Sequence, residues 1–257
     1  MLKARIIPTL LWRGLGLVKG IGFDSWRRVG PVLPAIKVYN LREVDELIVV
    51  DITATEEARE PDHESIAEFC LECFVPLTIG GGVRTLEQIR ELLKCGADKV
   101  AINTAAYETP ELIRAAAGRF GSQCVVASVD VRRQAEGRCE CFSHAGKLAT
   151  GWEPVAWARK LEHLGAGEIL LTSVERDGTM QGYDVDLVRQ VAEAVAIPVI
   201  ASGGAGNYEH LHQALTTGRA SAVAAASIFH YTQMTPLEAK RHLAAKGIAV
   251  RNADQLA

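Results

Sequence analysis

Four charged residues, Arg5, Glu46, Lys99 and Glu168, each stand at the head of an apolar run and share alternation parity with Ile7, Ile48, Ala101 and Leu170. Side chains on a strand alternate between its two faces. If these runs are strands closing around an axis, the four charges meet there, and two positive with two negative give a neutral ring that is tolerable only when paired. Such a ring is either a salt-bridged plug or a polar gate beneath a bore of small and apolar side chains, through which a small neutral molecule could pass. The far ends of the runs carry other chemistry. Asp130 closes the apolar run CVVASVD (124–130). A carboxylate there is costly to bury unless it faces a cleft, which makes Asp130 the first candidate for a general acid/base; the alternative is a carboxylate that accepts backbone hydrogen bonds from its own loop.

Two glycine-rich turns, GGGV (80–83) and SGGAG (202–206), pair with INTAA (102–106) and AASIF (225–229). Glycines let backbone N–H groups approach an oxyanion, helix amino termini add positive potential, and Thr104 or Ser227 can donate a hydroxyl. The same glycines also fit tight corners, but two matched cradles favour a ligand with two phosphates at opposite ends. Gly82, Asn103, Thr104, Thr172, Ser202, Gly203, Gly204 and Ser227 are the candidate contacts. Asp51 and Asp177 lie beside Thr53, Thr55 and Thr179, where they could hold substrate hydroxyls, and loop capping is an equal reading for Asp177. The segment WRGLGLVKGIGF (12–23), with four glycines around Lys19, predicts either a lid carrying that lysine over bound ligand or a plain mobile loop.

Eight β-rich runs must position these residues: 5–11, 46–52, 75–81, 98–103, 124–130, 168–173, 197–202 and 221–227. Stretches of 3.6-residue periodicity such as LEQIRELL and DLVRQVAEAV follow most of them. Thr85 with Gln88 and Thr235-Pro236 with Glu238 signal helix starts, Thr109-Pro110 more weakly; glycines in KCGAD, HLGAG, TTGRA and AKGIA signal helix ends. Strand and helix alternating eight times, with strands apolar throughout, predict an α/β fold, a single (β/α)8 (TIM) barrel spanning 1–257. The halves look duplicated: Glu46 and Glu168, Pro76 and Pro198, Gly81 and Gly203, Gly96 and Gly218 all stand 122 residues apart, and Leu11 falls opposite Asp130 at a shift of 119. A doubly wound open sheet is the competing fold, and it leaves that register unexplained.

The chain has 257 residues, 48% apolar and 23% charged, which excludes a disordered chain, a collagen and a disulfide miniprotein. With 28 basic against 31 acidic residues it carries a net charge of −3, so no overall positive field draws it to nucleic acid or an anionic membrane. No run reaches the roughly 18 apolar residues of a membrane span, and the amino-terminal stretch breaks at Pro8; a cytoplasmic protein with reduced thiols is expected. Cys70 and Cys73 in CLEC have helical periodicity and no second pair at zinc spacing, and Cys139 and Cys141 sit among polar residues read as a turn. All four are read as packing residues; no metal or cofactor is expected.

The blocks RIIP, LVKG, VDELIVVDITAT, GGGV, GADKVAINTAA, GSQCVVASVD, GAGEILLTSVERDGT, GYD, PVIASGGAG and a terminal VRN run almost end to end. They resemble the cyclase-subunit (HisF) family of imidazole glycerol phosphate synthase. That resemblance implies a (β/α)8 barrel docked floor-first on a HisH-like glutaminase as a heterodimer, with ammonia passing through the barrel to a phosphorylated substrate at its top. It implies Arg5, Glu46, Lys99 and Glu168 as the ammonia entrance, Asp98 as a partner contact and Lys19 as the lid lysine. Gly82, Asn103, Thr104, Gly203 and Ser227 become phosphate contacts, and Asp130 one of two catalytic aspartates. The other aspartate belongs where this chain has Leu11, which can neither take nor give a proton. Leu11, the lid and the segment through ECFVPL are similar to a paralogous branch found with surface-polysaccharide pathways. There the barrel relays ammonia for conversion of a sugar N-acetyl group to an acetamidino group, alongside an ATP-using sugar amidotransferase. The competing functions are a true cyclase of histidine biosynthesis that recruits another acid such as Asp51, a non-catalytic barrel that activates a glutaminase, and an isomerase of aminoimidazole ribotides. The isomerase leaves the charged ring unexplained.

Overall fold

The computed structural model describes residues 3–14, 16–134 and 137–251. Leu15 of the expected lid, the first two residues of the amino-terminal stretch and Asn252 of the terminal VRN lie outside them. The first half runs β1 (Arg5–Arg13), β2 (Gly16–Ile21), β3 (Asp24–Gly30), α1 (Val32–Leu41), β4 (Leu47–Asp51), α2 (His63–Glu72), β5 (Leu77–Gly80), α3 (Leu86–Lys94), β6 (Lys99–Ile102), α4 (Thr104–Glu108) and α5 (Glu111–Phe120). The second runs β7 (Val125–Arg133), β8 (Cys139–Ser143), β9 (Leu148–Ala149), α6 (Pro154–Leu164), β10 (Glu168–Ser173), α7 (Val185–Ala192), β11 (Val199–Ser202), α8 (Tyr208–Thr216), β12 (Ala222–Ala225), α9 (Ser227–His230) and α10 (Pro236–Ala245).

Eight strands pair in parallel in the order β1, β4, β5, β6, β7, β10, β11, β12, and β12 returns to β1 through Arg5 beside Ala222. The sheet is therefore a closed barrel with helices between its strands, and the open-sheet alternative falls away. Apolar side chains fill both faces of these strands. One set, Ile7, Ile48, Ala101, Val126, Leu170, Ile200, Ala222 and Ala224, packs inside the bore; the other, including Ile6, Leu47, Val49, Leu77, Ile79 and Ile169, packs outward against the helices.

The duplication is visible in the caps. Thr85 accepts from Gln88 N at 3.2 Å and Asn207, at the same 122-residue offset, from His210 N at 2.9 Å. Both expected capping boxes form, at Thr85 with Gln88 and at Thr235 with Glu238. The weaker start at Thr109 does not: Pro110 is already helical (φ −56°, ψ −29°) and caps α5 without a side-chain bond, while Thr109 terminates α4. Helix ends at Gly96, Gly165 and Gly247 have the expected positive φ. In TTGRA the left-handed residue is Arg219 (φ 56°) instead of Gly218. Gly218 is needed for space, since a Cβ there would lie 2.5 Å from the Ala214 carbonyl oxygen.

Two antiparallel additions were absent from the eight-strand reading. The predicted flexible segment 12–23 instead contributes β2, paired with both β1 and β3, because Leu17 and Val18 are buried and the backbone bonds are satisfied along the strand. Cys139 and Cys141, read as a turn, lie on β8 against β7; alternation buries Cys141 completely. The two hairpins follow the first strand of each half, so they share in the duplication. All six cysteines are unpaired. No helix among the described residues is long and apolar enough to cross a membrane.

Candidate active site and conduit

At the amino-terminal floor of the barrel the four charges interlock around the bore. Arg5 Nη1 lies 2.8 Å from Glu46 and 2.6 Å from Glu168, and Lys99 Nζ lies 2.9 Å from each of the same two glutamates. Burial opposes the charge on Arg5, but Glu168 and Glu46 outweigh it and raise its pKa; burial likewise opposes the Glu46 anion, and Arg5 and Lys99 outweigh it and lower the pKa. Arg5 and Glu46 are thus held ionised by their neighbours. Above this ring the bore is lined by the apolar set from Ile7 to Ala224. A layer of that kind offers an ion no replacement for its water.

The carboxyl ends of the strands surround a single cleft at the roof. Leu11, Lys19, Asp51, Gly82, Asn103, Thr104, Asp130, Thr172, Asp177, Ser202, Gly203, Gly204 and Ser227 all line it. These thirteen residues expected at the roof are therefore brought together. Asp98 stands apart, exposed at the floor, with Oδ2 accepting from Leu77 N at 2.8 Å.

Asp130 is buried, and Asn103 Nδ2 donates to its Oδ2 at 2.6 Å. Burial pushes the carboxyl up to about 7; the hydrogen bond from Asn103 and the charge of Arg132 favour the anion, while Asp177 opposes it. A group with that pKa can both give and take a proton near neutrality. The bonds expected of a loop-capping carboxylate go instead to Asp51. It accepts from Thr53 N at 3.0 Å and Ala54 N at 3.1 Å, and pairs with Arg59 at 3.1 Å. Asp177 pairs with Lys19 at 2.5 Å. Both carboxylates foreseen as holding substrate hydroxyls thus already have partners. Thr55 lines the cleft, whereas Thr179 bonds Arg176 O outside its lining.

The glycine cradles are held in shape by their neighbours. Gly81 (φ 104°) and Gly203 (φ 88°) sit so close to the preceding strand that a Cβ would meet Asp51 O at 2.2 Å and Ser173 O at 2.6 Å. Corner fitting therefore accounts for these two glycines. Ser227 is buried at 5% exposure and lines the cleft, and among the described residues its Oγ has no hydrogen-bond partner. A buried hydroxyl left unpaired is unfavourable unless a ligand completes it. Asn103 Oδ1 is in the same condition.

Lys19 is not on a loose loop. Its strand is tied down by Gly22 N donating to Asp177 O at 2.9 Å and Tyr231 Oη donating to Lys19 O at 3.3 Å. The hairpin also brings Phe23 and Trp26 to the cleft, and Arg84, Ser128 and Ala145 join the lining. None was foreseen as a site residue. Ser128 was legible, being two residues before Asp130 on the same face; Arg84 directly follows the glycine motif; Trp26 and Ala145 depend on hairpins that the periodicity did not reveal. Among the described residues no group of three His, Cys, Asp or Glu side chains is placed to hold a metal ion.

A duplicated (β/α)8 barrel with paired glycine turns around a buried aspartate has the architecture of an enzyme working at the carboxyl ends of its strands. The model of one such family, described as histidine biosynthesis protein, matches residues 5–235, and the chain belongs to that family, whose members are enzymes of histidine biosynthesis.

Proposed function

We propose that this chain is a synthase subunit of the HisF type that receives ammonia from a glutaminase docked on its floor and delivers it through the bore to the roof. The observation that carries the reading is the closed ring of Arg5, Glu46, Lys99 and Glu168 facing the bore beneath an apolar collar. A ring of fixed, paired charges admits a polar molecule only when it parts, and the collar above it selects neutral ammonia over ammonium. An isomerase fed from the roof has no use for either feature.

Docking on the floor has its own support. Leu41, Leu71 and Phe74 are 86%, 78% and 81% exposed, at the ends of α1 and α2, on the side of the barrel where Asp98 is exposed. Asn40 joins the two helix ends by donating to Glu72 O at 2.6 Å and accepting from Phe74 N at 3.1 Å. A rigid apolar patch beside charged groups has the composition of an interface core and rim. Phe74→Asp is expected to weaken association with the cognate glutaminase at least tenfold, measured by sedimentation or calorimetry, and to abolish any stimulation of glutamine hydrolysis. Unchanged affinity would remove this docking face.

Leu11 supports the reading of the chain as one of the paralogous branch, in which ammonia supports formation of an acetamidino sugar by an ATP-using amidotransferase and ring closure is secondary. A second reading, the cyclase of histidine biosynthesis, is favoured by one observation: Asp130 is placed and tuned for proton transfer between two preserved cradles. Failure to rescue a histidine auxotroph separates the first from the second. Asp51 does not replace the missing acid in that scheme, because Arg59 and its own loop hold its carboxylate.

A further inference from the structure

Two cations line the roof cleft, and their circumstances differ. Lys19 is neutralised by Asp177. Arg84 is exposed, and its guanidinium reaches only backbone carbonyls, Thr55 O at 3.3 Å and Ala58 O at 3.5 Å; among the described residues no carboxylate pairs with it. Bonds this long hold a guanidinium weakly, whereas its planar fork matches a phosphate with two short, charge-assisted bonds.

The backbone of Arg84 is fixed. Its N–H donates to Gln88 Oε1 at 2.8 Å, within the capping box of α3, so the side chain springs from a rigid point two residues beyond Gly82. The cradle it overhangs has no other unspent positive charge: Gly81 and Gly82 offer backbone, Thr104 Oγ1 already accepts from His144 N at 3.0 Å, and Asp51 packs against Gly81 with its charge met by Arg59. The second cradle is built otherwise. The position 122 residues after Arg84 is Gly206, and the unpaired group in the lining there is the neutral hydroxyl of Ser227. Arg176 stands beside Gly204 but outside the lining, exposed and with its guanidinium 3.4 Å from Gln181 O.

We propose that Arg84 is the phosphate clamp of the first cradle. It leaves the carbonyls of Thr55 and Ala58 to take two oxygens of a phosphate seated over Gly81 and Gly82. The two ends of the cleft are then unequal, because Arg84 is in the lining of the first and Arg176 lies outside the lining of the second. This rests on the reading of the roof as a phosphate site.

The test uses inorganic phosphate and backbone amide NMR of the whole chain, with the Gly82 and Gly204 amides reporting the two cradles separately. In the parent, phosphate shifts both. Arg84→Gln is expected to weaken the response at Gly82 about tenfold and leave Gly204 unchanged, with Arg84→Lys in between because a point charge lacks the fork. Equal titration in Arg84→Gln and parent overturns the clamp while the phosphate site stands. Equal weakening at both cradles also overturns it, since only a general change of field does that. No response at either glycine in the parent removes the phosphate reading and the clamp with it.

Discussion

Leu11→Asp is expected to raise ammonium-dependent conversion of the phosphoribulosyl-formimino aminoimidazole carboxamide ribotide to imidazole glycerol phosphate roughly 10²- to 10⁴-fold over the parent, the range one positioned acid or base supplies. The geometry for a second acid is in place. Leu11 lines the cleft, and three strands separate β1 from β7 in either direction around the barrel, so positions 11 and 130 face each other across it. The backbone at 11 is held by Val18 and Val50 on either side, independently of the side chain. Steady-state assay with ammonium salts, without any glutaminase, isolates this step. Turnover that stays at the parent level would mean that more than one group has been lost from the roof, and a parent already turning over at the variant's rate would remove Leu11 as the distinguishing residue.

Asp130→Asn is expected to stabilise the fold in alkaline solution while removing proton transfer. Burial holds the folded carboxyl's pKa at about 7 against an ordinary value of 3.8. Between those values the folded chain binds more protons than the unfolded one, so stability falls as pH rises through that window. The full cost of ionising the buried group, on the order of 4 kcal/mol at about 1.36 kcal/mol per unit, is present above pH 7 and absent below about 4. Denaturant unfolding at pH 8 is therefore expected to favour Asp130→Asn by a few kcal/mol, with the difference vanishing at pH 4. An equal difference at both pH values would show that packing, and not ionisation, separates the two chains.

What the sequence made legible was what recurs with a period. Alternation gave the parity that aims Arg5, Glu46, Lys99 and Glu168 into the bore, and the 122-residue offset paired Gly81 with Gly203 before any strand was seen to pair. What remained hidden depends on tertiary contact. The segment around Lys19 is rich in glycine, which reads as mobility, yet Gly20 and Gly178 are glycines because backbones pass within a Cβ's reach: at Gly20 a Cβ would come 2.0 Å from Asp24 O, and at Gly178 2.1 Å from Gly20 O. The pairings of Asp51 with Arg59 and Lys19 with Asp177 span 8 and 158 residues with no shared motif. Asp45 and Lys240, only 1% exposed and 2.8 Å apart, are likewise invisible in composition although they tie α10 to the barrel floor.

The central claim is that nitrogen travels from floor to roof without entering solvent. Glutamine labelled with 15N at the amide is supplied to the reconstituted complex of glutaminase, barrel and sugar amidotransferase in a buffer of unlabelled ammonium, and the aminated product is read by mass spectrometry. The account predicts that the product keeps the 15N label whatever the ammonium concentration, and that Lys99→Ala, which opens the ring, lets unlabelled nitrogen in. Label diluted by the parent complex in proportion to external ammonium would contradict it.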